Sequence, residues 1–393
     1  MEIKTQNKYA WVELYKSHFD HNVRVFYEKL LPSTKIAMVV KSNAYGHGLS
    51  QMGKLCQTNP YIHSLCTINE QEALQLRQAG ITKPILVMGY IQDYKAAVQA
   101  DCEIAVYDES QLREIIAICK AYKLIAKLHI KIDTGLSRLG FLPETIGLLM
   151  EYLYQSPHIE IKGVMSHFAD PYSKEYTSYQ IDQFNKALTL GNFSSKATRH
   201  ICNTIGAFLY PHAHLDMVRI GIGLYGYLPA SPLQPLLPIA TLKAPILQIK
   251  TIPANTFVGY ERLAATAQPT RIGIIPFGYH EGMDRDSAQH NYVCMNGYKA
   301  PLLGRVSMNL STIDLTNVPE KALTNEVTIL GCPVLHDKIT HDHYYPSIYE
   351  QLVRLDPEIE KSIFVSETIA EHHKKRLGLL EDPKKLEMSA VLD

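Results

Sequence analysis

Between about residue 35 and residue 220, short apolar runs rich in β-prone residues alternate with segments whose apolar residues recur every three or four positions. The runs are Ile36–Val40, Ser64–Thr67, Pro84–Met88, Glu103–Val106, Ala126–Ile132, Ile159–Ser166, Arg199–Cys202 and Leu215–Val218. Brief apolar runs bounded by turn residues read as strands buried on both faces. The segments Asn69–Gln78, Ser110–Tyr122 and Glu175–Leu190 read as amphipathic helices, and Asn69 ahead of Glu72 has the spacing of a capping box. Eight such strand–helix units predict a parallel (β/α)8 barrel of the TIM type. An open doubly wound sheet is the competing arrangement, but no GxGxxG turn follows a strand.

Beyond Gly226 the pattern changes. LPASPLQPLLP carries four prolines, which no helix tolerates, and marks a domain edge. Strand-like runs follow at Ala244–Ile252, Arg271–Pro276, Tyr292–Met295, Ser311–Leu315 and Val327–Leu330, as in a mainly antiparallel β domain. Glu367–Leu380 reads as a charged surface helix. The expected domains are a barrel over 12–238 and a C-terminal β domain over 239–393, with residues 1–11 joining the latter.

A chain of 393 residues suits two domains. Its 39 Lys and Arg balance 39 Asp and Glu, so there is no basic field to hold nucleic acid or an acidic membrane surface. The seven cysteines are scattered without a CxxC, the expectation for reduced thiols in the cytosol. No window is long and apolar enough for a membrane span, and the first residues lack an apolar leader core, so a cytoplasmic protein is expected. His336, Asp337, His341 and His343 suggest a metal only until their HxH spacing on a helix is considered, which splays the rings apart. His212 and His214 have no carboxylate or thiol at ligand spacing, and no metal is expected.

Candidate chemistry gathers where barrel strands end, since the C-terminal rim carries the active site in this architecture. IAMVVKSNAYGHG places Lys41 directly after a buried run. Poor hydration there lowers an amine's pKa and suits it to Schiff-base chemistry, whereas most lysines in turns are simply exposed. Arg138, His167, Asn203, Thr204 and Arg219 follow later strands. Taken singly, His167 is a hydrogen-bonded core histidine, Asn203 a helix cap and Arg219 one half of an ion pair. In RIGIGLYG, Arg219–Gly226, small residues let amides approach an anion, and Thr204 adds a hydroxyl at a helix start. A phosphate cradle facing an activated amine points to pyridoxal 5'-phosphate.

VVKSNAYGHG, KIDTGLSRLG, SHFA (Ser166–Ala169), Cys202-Asn203-Thr204, MVRIGIGLYG, GRVSMNL (Gly304–Leu310) and IYE (Ile348–Glu350) stand in an order that resembles the alanine racemase family of fold-type III pyridoxal-phosphate enzymes. The resemblance implies a homodimeric amino-acid racemase making D-alanine for peptidoglycan. Lys41 would carry the cofactor and act as one acid/base. Tyr45, Thr204, Tyr349 and the amides of Gly221 and Ile222 would hold its phosphate, with Asn203 beside them. His167 would stack on the pyridine ring and Arg219 contact its nitrogen. Arg138 would touch the cofactor O3′ and the substrate carboxylate, positioned by Lys131, which is carbamylated in many relatives. Met308 would offer its backbone N–H to the substrate carboxylate from the partner subunit.

The position of the second acid/base departs from the family. A tyrosine usually lies four residues beyond the tyrosine of a VSYG- or VGYG-like motif and serves as second acid/base, whereas VGYERLAATAQPTR has Ala264 there. Tyr260, Glu261 and Arg262 are the nearest functional groups in sequence. Ser307, Asn309 and the pair His280-Glu281 also differ from the usual residues. The alternatives are an enzyme of the same fold with another amino-acid substrate or one-base chemistry, and a non-catalytic pyridoxal-phosphate binder.

Overall fold

The computed structural model describes residues 9–228, 236–285, 292–331 and 348–365. They fall into two compact units. One comprises Asp20–Ala44 and Leu49–Leu228; the other comprises 9–19, 45–48 and the described residues from 236 onward. The first strand, β1 (Trp11–Tyr15), belongs to the second unit.

In the first unit the eight apolar runs form β2 (Lys35–Val39), β3 (Ile62–Thr67), β4 (Ile85–Val87), β5 (Glu103–Val106), β6 (Ala126–Lys131), β7 (Ile159–Met165), β8 (Thr198–His200) and β9 (Met217–Ile220). They pair in parallel and in sequence order, with β9 returning beside β2. The ring closes where Asp216 N–H donates to the Arg199 carbonyl at 3.1 Å and Arg219 N–H to that of Cys202 at 3.0 Å. Ile36, Ala37 and Met38 are fully buried, as the unbroken apolar pattern requires. Arg219 is not beyond the last strand, as expected from the sequence, but inside it, opposite Ala37. The left-handed turn at Leu215 delays β9 by two residues.

Short polar residues start the outer helices. Asn69, Asp93, Asp108 and Ser173 each accept from the amide three residues on, opening Glu70–Gln78, Tyr94–Gln99, Glu109–Tyr122 and Lys174–Gly191. The C-terminal end of the helix Leu49–Thr58 is closed by a side chain from elsewhere. Lys83 Nζ donates to the carbonyls of Cys56, Asn59 and Ile62 at 2.8, 2.6 and 2.5 Å. Lys83→Met keeps the apolar stem and strands those carbonyls, so a loss of about 2 kcal/mol is expected, read as a lower urea midpoint.

The second unit holds three sheets. The largest runs β16 (Tyr298–Pro301), β15 (Tyr292–Met295), β18 (Glu326–Leu330), β10 (Ala240–Pro245), β1, β19 (Glu360–Phe364). It is antiparallel except where β19 lies parallel to β1. A three-stranded sheet pairs β11 (Gln248–Ile252) with β14 (Thr270–Ile275) and that with β17 (Ser311–Asp314), while β12 (Phe257–Val258) and β13 (Ala264–Ala265) form a short hairpin. The run expected as one strand over Ala244–Ile252 is thus two, β10 and β11, in different sheets: Ile246 N–H still donates to the Asn325 carbonyl beside β18, and Leu247 N–H already donates to the Ile274 carbonyl of β14, both at 2.8 Å. Leu14, Leu242, Ile275, Phe277, Met295 and Ile313 are among the fully buried core of this unit.

Cys56, Cys66, Cys102, Cys119 and Cys202 are free and buried, but Cys294 is disulfide-bonded, which corrects the expectation of seven reduced thiols. Cys332, the histidine cluster around His341 and the segment Glu367–Leu380 lie outside the described residues. No helix among the described residues is long and apolar enough to cross a membrane.

Candidate active site

Lys41 stands half-buried at the C-terminal end of β2, where the chain does something L-residues resist. Ser42, Asn43, Ala44 and Tyr45 all have positive φ, between 51° and 55°, in one left-handed turn. Each such residue costs roughly 1–2 kcal/mol, so the turn persists only because its surroundings impose it. Ala44 N–H donates to the Val40 carbonyl at 2.9 Å, and Asn43 Oδ1 accepts from Leu49 N–H at 2.8 Å. Burial, then the Arg138 guanidinium, lower the Lys41 pKa, while Glu72 opposes them.

Arg138 reaches this neighbourhood from a loop closed at its base. Phe141 N–H donates to the Lys131 carbonyl at 2.8 Å and Asp133 N–H to that of Phe141 at 2.9 Å. The Asp133 carboxylate accepts from Gly135 and Ser137, both at 3.0 Å. Arg138 itself is exposed, and Lys131, at the end of β6, is buried. Burial, followed by Arg138 and Arg219, brings the Lys131 amine down to about 8.

Arg219 is buried and anchors a polar network in the barrel. Its guanidinium donates to the carbonyls of Ser166, of His200 at 3.1 Å and of Ile201 at 3.3 Å. It also meets His200 Nδ1 at 2.6 Å and His167 Nδ1 at 3.3 Å. Because arginine only donates, both Nδ1 atoms accept. His200 then donates from Nε2 to His129 Nδ1 at 2.8 Å, and His129 donates from Nε2 to Glu103 at 2.9 Å. Burial, then Arg219, hold His200 well below the ordinary imidazole range. Burial, then Arg219, Arg138, Lys131 and Lys41, bring His167 down to about 3, so both rings are neutral near pH 7. Burial lowers Arg219 itself to about 10, which leaves it charged. Gln180 fixes the His167 backbone by donating to its carbonyl at 3.1 Å while accepting from Ala169 N–H at 2.8 Å.

The glycine run after β9 turns toward Thr204, whose Oγ1 accepts from Gly221 N–H at 3.2 Å and Gly223 N–H at 3.4 Å. Only glycine fits at 223, where a Cβ would meet the Phe26 ring at 2.5 Å and Thr204 Cγ2 at 2.7 Å. Ile222 between them is buried. Asn203 caps the helix Thr204–Leu209 by accepting from Gly206 N–H at 2.9 Å, the plainer of its two readings.

The barrel unit therefore gathers Lys41, Lys131, Arg138, His167 and Arg219 as one electrostatically interacting group, with Thr204, Gly221 and Ile222 in the turn after β9. Tyr45, Met308, Ala264 and Tyr349 belong to the second unit. Met308 is exposed in the turn after Val306, and Ala264 pairs with Val258 in the β12–β13 hairpin. Just before Ala264, Glu261 and Arg262 are left-handed, and Glu261 pairs with Arg305. Glu103, His129, His200 and Glu72 were not among the sequence-derived candidates. The signal for His129 and His200 was a histidine interrupting each apolar strand, and Gly163 opposite His129 was its companion. A Cβ there would strike His129 Nδ1 at 2.4 Å. Among the described residues no group of three or more His, Cys, Asp or Glu is arranged to hold a metal ion.

Residues 15–229 match the model of the alanine racemase N-terminal domain, and residues 239–361 that of the alanine racemase C-terminal domain. Alanine racemases of Leptospira interrogans and Syntrophobacter fumaroxidans are 33% and 34% identical over 338 and 334 residues. These alignments span 82% of this chain and 86% and 88% of the relatives. Among solved structures, alanine racemase of Clostridium difficile 630 superposes with a TM-score of 0.84 at 27% identity, covering 91% of this chain and 96% of that one. The enzyme of a D-cycloserine-producing Streptomyces lavendulae gives 0.83 at 27%, covering 94% and 99%. Fold and relatives together define a pyridoxal-phosphate-dependent isomerase built on a parallel barrel with an antiparallel β domain. The chain belongs to the alanine racemase family.

The donor set can be tested against that cofactor on charge alone. Four cationic side chains, Lys41, Lys131, Arg138 and Arg219, act on one another, and the acids acting on the two lysines are Glu72 and Asp133. Such an excess of positive charge fits an anionic phosphate and a substrate carboxylate. Among the described residues no carboxylate bonds to Arg219, so its charge is available to a ring nitrogen acceptor. The residues fit.

Proposed function

We propose that this protein interconverts L- and D-alanine with pyridoxal 5'-phosphate held by Lys41, as a cytoplasmic homodimer that supplies D-alanine for peptidoglycan. The observation that carries the reading is the half-buried Lys41 amine at a barrel-strand end, its pKa lowered by burial and then by Arg138. When bound, the cofactor supplies the electron sink that makes a Cα proton of an amino acid acidic enough to leave.

The chain's own residues do the rest. Lys41 Nζ takes the Cα proton on its face and returns it. Arg219, still charged at neutral pH, would donate a hydrogen bond to the ring nitrogen but keep its proton, which would leave that nitrogen unprotonated, weaken the sink and favour prompt reprotonation over side reactions. His167 presents a neutral, flat ring. Arg138 binds the substrate carboxylate, joined by the Met308 N–H of a second copy. Thr204, Gly221, Ile222, Tyr45 and Tyr349 hold phosphate, and Asn203 orders the Thr204 helix start. Lys131, with a pKa of about 8, has enough neutral amine to add carbon dioxide, and a carbamate there would place an anion beside Arg138.

Ala264 favours a second reading, in which Lys41 works alone on one face. Racemisation needs a proton donor on each face, and an alanine has none to give. Incubation with L-alanine in deuterium oxide separates the two. The expected product is D-alanine carrying α-deuterium. Deuterium entering with L configuration retained establishes the one-base reading instead. Exchange with another amino acid but not alanine moves the substrate, and no exchange with any amino acid refutes the activity.

A further inference from the structure

Glu72 has no role in the assignments above, yet its carboxylate reaches further than a helix cap requires. It is the third residue of the helix Glu70–Gln78, and its own amide is held by Asn69 Oδ1 at 2.9 Å. One carboxylate oxygen accepts from Ile68 N–H at 3.0 Å, which closes the helix start in the manner of a capping box. The other leaves the helix and accepts from Asn43 N–H at 3.3 Å. Asn43 is inside the left-handed turn that follows Lys41, and its side chain in turn holds Leu49 N–H. One carboxylate thus ties the loop after β3 to the strained turn after β2. The charged and titratable groups that face the Lys41 amine are Arg138, Lys131, His167 and Glu72, and Glu72 is the acid among them.

We propose that Glu72 is a positioning residue for Lys41, clamping the left-handed turn through Asn43 N–H and giving the amine an anionic neighbour. This builds on the reading of Lys41 as the cofactor-carrying amine. A carboxylate stabilises the ammonium form, so its loss lowers the pH at which Lys41 half-titrates.

The test uses the full chain without cofactor. Competitive acetylation by acetic anhydride across pH, read by mass spectrometry on the Lys41 peptide, gives the half-titration point. Amide hydrogen exchange of residues 41–48 reports the turn. Glu72→Gln keeps size and one acceptor oxygen, which serves Ile68 N–H or Asn43 N–H but not both, and removes the charge; the half-titration point is expected to fall by roughly one pH unit, with exchange between that of wild type and that of Glu72→Ala. Glu72→Ala removes both, and the same fall is expected with exchange about tenfold faster. A half-titration point unchanged or raised in Glu72→Gln overturns the electrostatic role, and unchanged exchange in Glu72→Ala overturns the clamp. Should the alanine variant not fold, Glu72→Gln decides the matter alone. Lys41→Ala separates this failure from that of the underlying reading. If borohydride still fixes pyridoxal phosphate to Lys41→Ala, the lysine assignment falls. If Lys41 carries the cofactor and Glu72→Gln titrates as wild type, only the role of Glu72 falls.

Discussion

Lys41→Ala is expected to turn over at least ~1,000-fold more slowly than wild type and to hold pyridoxal phosphate without a bond that borohydride fixes. Three amines of this barrel have lowered pKa values; Lys83 is spent on the carbonyls of Cys56, Asn59 and Ile62, and the other two, Lys41 and Lys131, owe it first to burial and then to Arg138. Low pKa alone therefore does not choose between them. Position does. Lys131 is buried at the end of β6 under a loop closed by Phe141, whereas Lys41 is half-buried and opens the left-handed turn. Such a turn of four consecutive residues is costly, and local strain of that size collects where a side chain must be aimed. Borohydride reduction of the wild-type holoenzyme followed by peptide mapping should find the label on Lys41. Label on Lys131, or label retained in Lys41→Ala, would refute the assignment.

The barrel was legible because burial on both faces leaves an unbroken apolar run, and each of the eight runs became a strand. The β domain was read less well. Its strands are two to six residues long, and β12, β13, β16 and β19 carry too few apolar positions to stand out from turns. At the candidate site, Lys41, Arg138, His167 and Arg219 could be named because a polar residue at a strand end is conspicuous. Their wiring could not. That Arg219 connects through His200 and His129 to Glu103 depends on which strands are neighbours across the barrel, and no local pattern encodes it. Glu72 was read as a capping-box residue, which it is; its second bond to Asn43 joins two loops and is invisible in either. The left-handed turn itself had only the partial cue of Asn43, since Ser42, Ala44 and Tyr45 do not favour that conformation.

Arg219→Met should cost the protein about 3 kcal/mol or more, the largest stability effect expected of a single side chain at this site. Two effects oppose each other. A buried guanidinium carries a desolvation penalty, and its replacement by an apolar side chain of similar length relieves it. Replacement of buried charges is neutral or favourable, however, only when their partners are replaced as well. Here the partners are the carbonyls of Ser166, His200 and Ile201 and the ring of His200, all held by β-strand ends that the substitution leaves in place. The Ser166 and Ile201 carbonyls lose this donor at once, while the His200 carbonyl keeps Ser166 N–H at 3.1 Å, and each stranded group costs roughly 1–3 kcal/mol. His200 Nδ1 also loses the donor that fixes its tautomer, so the bonds onward to His129 and Glu103 lose their direction. The unsatisfied side dominates. Urea unfolding followed by far-ultraviolet circular dichroism measures it on the cofactor-free chain, and an unfolding midpoint equal to wild type would show that the network does not hold the barrel together. The same variant tests the proposed contact of Arg219 with the cofactor independently: if Arg219 faces the pyridine nitrogen, its loss is expected to change the visible spectrum of bound pyridoxal phosphate whether or not the stability falls. A spectrum identical to wild type would remove Arg219 from contact with the cofactor.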